Sequence, residues 1–184
     1  LDGLLAEQEQ AITIDVAYRS FSTATRRYIV ADAPGHEQYT RNMATAASNA
    51  ELALILIDVE QVTDNLLPQT KRHTYISSLL GIPDVVFVIN KMDLCGYSKA
   101  VFDNISTKCQ ELIKDLNFRS ATCIPVSALK GDNVRYPSKA MPWYNGPTVL
   151  DILETTIPVV RKNENFRMPV QWVARTSTFR GLAG

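Results

Sequence analysis

The stretch Asp84-Val85-Val86-Phe87-Val88-Ile89-Asn90-Lys91-Met92-Asp93 is apolar almost throughout and then turns abruptly polar. A strand with one wet face alternates apolar and polar residues. This run leaves neither face to water, the pattern of a strand buried on both sides in a parallel sheet. Working outward, LALILID (52–58) repeats the pattern, and TCIPVSALKGDN (122–133) supplies a further strand and loop. Helical patterns separate them. EQYTRNMATAASNA spaces Met43, Ala46, Ala47 and Ala50 at helical intervals, and TKRHTYISSLLG is closed by Gly81 and Pro83. YSKAVFDNISTKCQELIKDL lines up Phe102, Ile105, Cys109, Leu112, Ile113 and Leu116, and PTVLDILETTI forms a last helix. Ahead of these, ITIDVAYRSF puts Ile12, Ile14, Val16 and Tyr18 on one face and pairs with RYIVAD as two antiparallel strands. The class is α/β, a mostly parallel sheet with helices on both faces.

In open sheets of this kind, ligands lie outside the carboxyl ends of the strands. Three polar clusters fall there. Asp32-Ala33-Pro34-Gly35-His36 offers a carboxylate suited to a hydrated divalent cation, a glycine whose N–H can approach a phosphate closely, and a following helix start that favours an anion. Asn90-Lys91-Met92-Asp93 suggests a base reader. Asp93 can accept two charge-assisted hydrogen bonds from the N1–H and exocyclic amine of guanine, each worth about 1.5 to 3 kcal/mol. Adenine lacks that donor pair, and a buried carboxylate left unpaired can discriminate by about 10⁴-fold. The Lys91 stem can cover the base plane, and the Asn90 amide can tie neighbouring loops together. Ser127-Ala128-Leu129 can present backbone N–H groups to the guanine carbonyl. Thr13, in EQEQAITID, can bring a hydroxyl to a magnesium ion.

Composition narrows the partners. With 19 Lys+Arg against 19 Asp+Glu in 184 residues, no net field draws a polyanion or an anionic membrane, so nucleic acid is not an expected partner. The longest aliphatic run, LALILI, is far short of the roughly 20 residues that span a bilayer. Cys95, Cys109 and Cys123 have no ligand-like spacing and suit a reducing, cytoplasmic setting. The chain opens at Leu1 without a methionine or a targeting segment and reads as an internal piece. VVRKNENFRMP reads as a linker, and PVQWVARTSTFRGLAG starts a fresh β pattern.

EQEQAITID, DAPGH, NKMD and SAL, in this order, resemble the translational-factor class of GTPases. The wording of ITIDVAYRSFST, GHEQYTRNMATAAS, QTKRHTYISSLLGI, MPWYNGPTVL and FRGLAG is most similar to the GTP-binding large subunit of bacterial ATP sulfurylase, sulfate adenylyltransferase subunit 1. Translation elongation factors that carry aminoacyl-tRNA are the alternative, and an inactive remnant without a P-loop is another. The resemblance implies a P-loop NTPase-like G domain over 1–158, a linker over 159–168, and the beginning of a β-barrel domain over 169–184. It implies GTP and Mg²⁺ as ligands. Asp32 would belong to the metal site through water, and Thr13 would coordinate the ion. Gly35 would donate to the γ-phosphate, and His36 would position the attacking water. Asn90, Lys91 and Asp93 would read guanine, with Ser127 and Ala128 completing the pocket. Segments 7–14 and 33–42 would be switch loops released when the γ-phosphate is lost. GTP hydrolysis would be coupled to formation of adenosine 5′-phosphosulfate from ATP and sulfate, with adenylyl transfer on a smaller partner subunit.

Three departures stand out. No GxxxxGK[ST] occurs, so the first strand, P-loop and first helix of such a domain are absent from this chain. Ala11 stands where the family usually has glycine. The segment VEQVTDNLLPQTKRH is longer than expected and lacks a glycine, a change expected to bear on the helix start rather than on the nucleotide.

Overall fold

The computed structural model describes residues 13–158, 168–176 and 179–183. Ala11, Ile12, the rest of segment 7–12 and the linker core 159–167 lie outside them. Three parallel strands form the centre: β3 (Leu52–Asp58), β4 (Asp84–Asn90) and β5 (Ser120–Pro125), in the spatial order β3-β4-β5. A separate antiparallel hairpin, β1 (Ala17–Ser22) and β2 (Arg27–Asp32), precedes them, and β6 (Trp172–Arg175) and β7 (Arg180–Ala183) form another hairpin near the end. The helices are α1 (Thr40–Ala47), α2 (Pro68–Leu79), α3 (Lys99–Ile113) and α4 (Val149–Thr155).

The central strand behaves as its composition requires. Val85, Phe87 and Ile89 point to one face with Ile55 and Ile57, where Ile105 and Cys109 of α3 cover them. Val86 and Val88 point to the other, with Ile124 and Val126 and with Val149 and Ile152 of α4. Each such fully buried aliphatic side chain contributes about 1.5 to 3 kcal/mol. Helices therefore lie on both faces, α3 on one and α4 on the other. On the α4 face, Leu54 and Leu56 of β3 stay exposed, Leu56 at 64%, because no described element lies over them.

Local chemistry sets the helix ends. Pro68 opens α2 at a position that has no intrahelical N–H partner to lose. Gly81, at φ +78°, ends it with the left-handed turn that a side chain would strain. Ser98 caps α3 through the Val101 N–H. Thr148 and Asp151 cap α4 reciprocally, each side chain taking the other's backbone N–H. At the opposite rim from the site, the Asp84 carboxylate is buried and receives Arg119 and Ser120 side chains. Burial alone pushes its carboxyl upward, but those hydrogen bonds outweigh it and hold it below the usual carboxylate range.

The first strand starts later than its alternation suggests, at Ala17 rather than Ile12. A bend at Asp15, whose carboxylate accepts the Val16 N–H, interrupts the extended run.

Candidate functional site

Register places the site. Asp58 pairs with Asn90 and Ile89 with Pro125, so the carboxyl ends of β3, β4 and β5 meet at one rim. Two loops leave that rim and are sewn together. The Ser127 hydroxyl donates to Asp93 Oδ1 at 2.7 Å, and the Ala128 N–H donates to Asn90 Oδ1 at 2.9 Å. The Met92 N–H donates to the Val126 carbonyl at 3.1 Å. Asn90, Asp93, Ser127 and Ala128 thus converge, although Asn90 and Ser127 lie far apart in sequence.

A further layer fixes the loop that carries Ser127. Ser127 and Asp132 exchange both backbone hydrogen bonds, at 3.3 and 3.1 Å. The Asp132 carboxylate receives the Tyr97 hydroxyl at 2.9 Å and the Ser138 hydroxyl at 2.6 Å. That contact raises the Tyr97 hydroxyl pKa, chiefly through the hydrogen bond to Asp132. Buried Asn133, at φ +55°, donates to the Pro125 carbonyl at 2.9 Å and accepts the Ser138 N–H at 2.7 Å. Trp143 Nε1 donates to the Tyr97 carbonyl, and Trp143 and Tyr144 pack on Phe102. Sequence reading passed over Tyr97, Asp132 and Asn133. The Lys-Gly-Asp-Asn run directly after the SAL cluster was the available signal, since Gly and Asn tolerate the positive φ that both Gly131 and Asn133 adopt.

Each base-side residue has a definite place. Met92 is fully buried in the core, so its side chain packs rather than faces a ligand, and its backbone N–H joins the loops. Leu129 is 84% exposed. Two of the three N–H groups expected to meet a base carbonyl already have protein acceptors, Ser127 on the Asp132 carbonyl and Ala128 on Asn90 Oδ1. Capture of that carbonyl by Ala128 therefore requires Asn90 to share or release its donor. Among the described residues, Asp93 Oδ2 has no hydrogen-bond partner, which leaves an acceptor beside the one Ser127 occupies.

Lys91 stands at φ +65°. Its Nζ lies 2.6 Å from Asp58 Oδ2 and 3.7 Å from Glu60 Oε2. This corrects the expectation that the segment after β3 bears on the helix start alone. Glu60 belongs to that segment and touches the NKMD cluster, because the in-register ends of β3 and β4 bring the two turns side by side.

The other cluster is open. Asp32, Gly35 and His36 are exposed, Pro34 is buried, and Ala33 packs toward Met43, Ala47 and Ile82. His36 immediately precedes the 3-10 turn Glu37–Tyr39, and Arg72 of α2 pairs with Glu37 at 2.7 Å. The Asn42 amide donates to the Ile14 carbonyl at 2.8 Å, which ties the strand of chain after Thr13 to α1. Asp32 ends β2 opposite Ala17, and no ion pair or hydrogen bond to its carboxylate is made among the described residues. No described contact joins Thr13 to Asp32, or either of them to Asn90, Asp93 or Ser127. Among the described residues no group of three or more His, Cys, Asp or Glu side chains could hold a metal by themselves, and no helix is long and apolar enough to cross a membrane.

A family model described as the elongation factor Tu GTP binding domain matches residues 1–159. Over its whole length the chain is 54% identical to sulfate adenylyltransferase subunit 1 of Rhizobium meliloti (strain 1021), of which it covers 37%. It is 54% identical to the subunit 1 of Aeromonas salmonicida (strain A449), covering 39%, and 52% identical to the bifunctional enzyme NodQ of Rhizobium sp. (strain N33), covering 28%. The chain therefore spans well under half the length of these curated relatives. Among solved structures, translation elongation factor SelB from Methanococcus maripaludis, in complex with the GTP analogue GPPNHP, aligns with a TM-score of 0.57 at 28% identity, over 65% of this chain and 25% of that one. A bacterial selenocysteine-specific elongation factor, EF-Sec, aligns with a TM-score of 0.63 over 85% of this chain and 25% of its own, at 20% identity, a likeness of fold alone.

Proposed function

The chain belongs to the elongation factor Tu GTP-binding domain family, and from that premise we propose that it forms the nucleotide-binding part of a sulfate adenylyltransferase subunit 1. In this reading GTP hydrolysis is coupled to formation of adenosine 5′-phosphosulfate and pyrophosphate from ATP and sulfate, with adenylyl transfer on a smaller partner subunit in the cytoplasm. Joining sulfate to AMP is uphill, and a second nucleotide supplies the missing drive. The observation that carries the reading is the 54% identity along the entire chain to curated subunits of that name.

The residues divide the work. Asp93, held by the Ser127 hydroxyl on one oxygen, presents the other to the N1–H and exocyclic amine of guanine. Asn90 keeps the SAL loop against the NKMD loop. Thr13 and Asp32 would hold Mg²⁺, which supplies charge neutralisation at the phosphates. The Gly35 N–H would meet the terminal phosphate, and the His36 imidazole would orient water toward it. Residues 1–158 form the G domain and 169–184 begin a β domain, a division that the β6–β7 hairpin supports.

No Gly-rich phosphate cradle occurs in the chain. Among the described strands β2 pairs with β1 alone and β3 with β4 alone, and Leu54 and Leu56 are uncovered. A strand, loop and helix placed between β2 and β3 would pair both edges, cover those leucines and bring the cradle to the rim.

The test uses the full-length protein with its smaller subunit, measuring pyrophosphate release from ATP and sulfate with and without GTP. GTP-dependent product is expected. Product indifferent to GTP, or GTP-dependent binding of aminoacyl-tRNA in its place, overturns the assignment.

A further inference from the structure

Asp58 is the last residue of β3 and faces Asn90 in register. Its carboxylate has two tasks. Oδ1 accepts the Glu60 N–H at 3.0 Å and so opens the 3-10 turn Val59–Gln61, while Oδ2 takes the Lys91 ammonium at 2.6 Å. Glu60, on the same turn, approaches that ammonium at 3.7 Å. Two carboxylates from one segment thus hold one lysine from another.

The lysine they hold is unusual in its backbone. At φ +65° Lys91 occupies the left-handed region that a residue with a Cβ rarely adopts, and such strain persists where the surroundings over-determine it. The Asp58 side chain is only 18% exposed, so this pair is partly shielded and short, unlike an open surface contact. The hydrogen bond to Asp58 also raises the Lys91 pKa, which keeps the ammonium charged. Covalent geometry then dictates the rest. With its Cα between Asn90 and Met92 and its Nζ on Asp58, the Lys91 stem must run across the rim from the end of β4 to the end of β3. Asn90 and Asp93, the residues read as base contacts, flank the start of that stem.

We propose that Asp58, assisted by Glu60, is a positioning residue for the purine site: by anchoring the Lys91 ammonium it fixes the lysine stem as an apolar wall beside Asn90 and Asp93. The inference rests on the guanine-binding reading and adds to it the segment after β3. A free lysine side chain samples many rotamers, and ordering it upon ligand entry weakens binding by about tenfold. An anchored one is ordered beforehand. Asp58 touches neither ligand nor reacting atoms in this account and acts through Lys91.

The experiment measures binding of a fluorescent N-methylanthraniloyl GDP to the full-length protein. Asp58→Asn keeps an oxygen to cap Glu60 and removes the charge that holds Lys91. It is expected to weaken binding by about tenfold through faster dissociation, with Tm within about 2 °C of wild type. Asp58→Glu is expected to restore binding to within about twofold, and Glu60→Gln to cost about twofold. In a Lys91→Met background, which keeps the stem without the ammonium, Asp58→Asn should have no further effect. Binding by D58N within twofold of wild type overturns the inference alone, as does an undiminished loss in the K91M background. Failure of the wild-type protein to bind any guanine nucleotide overturns the guanine reading, and this inference with it.

Discussion

Residues 84–148 and residues 13–42 are read as serving the two ends of one nucleotide, and they are built in opposite ways. The first stretch contains the buried strand β4, the stitched loops at its carboxyl end and the Asn133 node, so most polar groups that shape this rim have protein partners. The second is the β1–β2 hairpin and the DAPGH turn. Every residue of β1 is exposed, Phe21 stacks on Tyr28 at 4.8 Å, and the hairpin is tied to the body mainly through Arg26, which donates to the Leu153 and Thr156 carbonyls of α4 and its end. The lesson is that the groups proposed to read the base are held by protein partners, while those proposed to handle phosphate and metal stand exposed to solvent. A rigid reader can be assembled in advance. A hydrolytic centre that responds to loss of a phosphate needs groups that remain free to move.

That contrast can be broken or sharpened by experiment. The largest effect belongs to Asp93→Asn, where an amide replaces the acceptor for the guanine N1–H and amine. GDP affinity of the full-length protein should fall by about 10³-fold or more while xanthosine diphosphate, with a carbonyl in place of the amine, binds better. Competition binding measures both, and unchanged GDP affinity would remove Asp93 from the base site. Next comes Asn133→Ala, which strands the buried Pro125 carbonyl and the half-buried Ser138 N–H. Urea unfolding should register a loss of about 3 kcal/mol. A cost below about 1 kcal/mol would mean that the stitched loop is no stiffer than the hairpin.

Arg119→Ala leaves the buried Asp84 carboxylate with Ser120 alone, and a Tm lower by about 5 °C is expected at pH 7. The pH dependence follows in sign. Because the folded-state pKa of Asp84 lies below its unfolded value, near 3.9, its stabilisation is complete above that value and is lost as the pH falls through the folded pKa. The gap between wild type and R119A should therefore stay constant from pH 7 to about 5 and narrow below about 4. A gap that widened in acid would contradict the assigned shift. Arg26→Ala should have the smallest effect, about 1 kcal/mol, with faster amide exchange confined to β1 and β2. Exchange that accelerates in β4 as well would show the two regions to be one cooperative unit.

Much of the central sheet was legible in advance. DVVFVIN has the pattern of a doubly buried strand and is one, and the end of α2 is written in Gly81. The rule that ligands gather at strand ends puts NKMD and SAL at one rim, and there the Ser127 hydroxyl donates to Asp93. Alternation alone does not register the bend at Asp15, so it starts β1 ahead of Ala17. Its place in the NKMD motif puts Met92 among the ligand contacts, whereas burial puts it in the core. Asp58 looked like the end of a strand and Glu60 like part of a long surface loop, and neither carries a local signature of contact with Lys91.

What the amino-acid order determined unaided is whatever depends on neighbours within a few positions: which runs are strands, where helices begin and stop, and which short clusters offer carboxylates, amides and free N–H groups. What the tertiary structure alone decided is the pairing of those groups across the rim, Asp58 with Lys91, Asp132 with Tyr97 and Asn133 with Pro125. The reason is geometric. Periodicity fixes the direction of a side chain relative to its own element, whereas the distance between two elements depends on sheet register and on how loops close, and those emerge only when the whole core is packed.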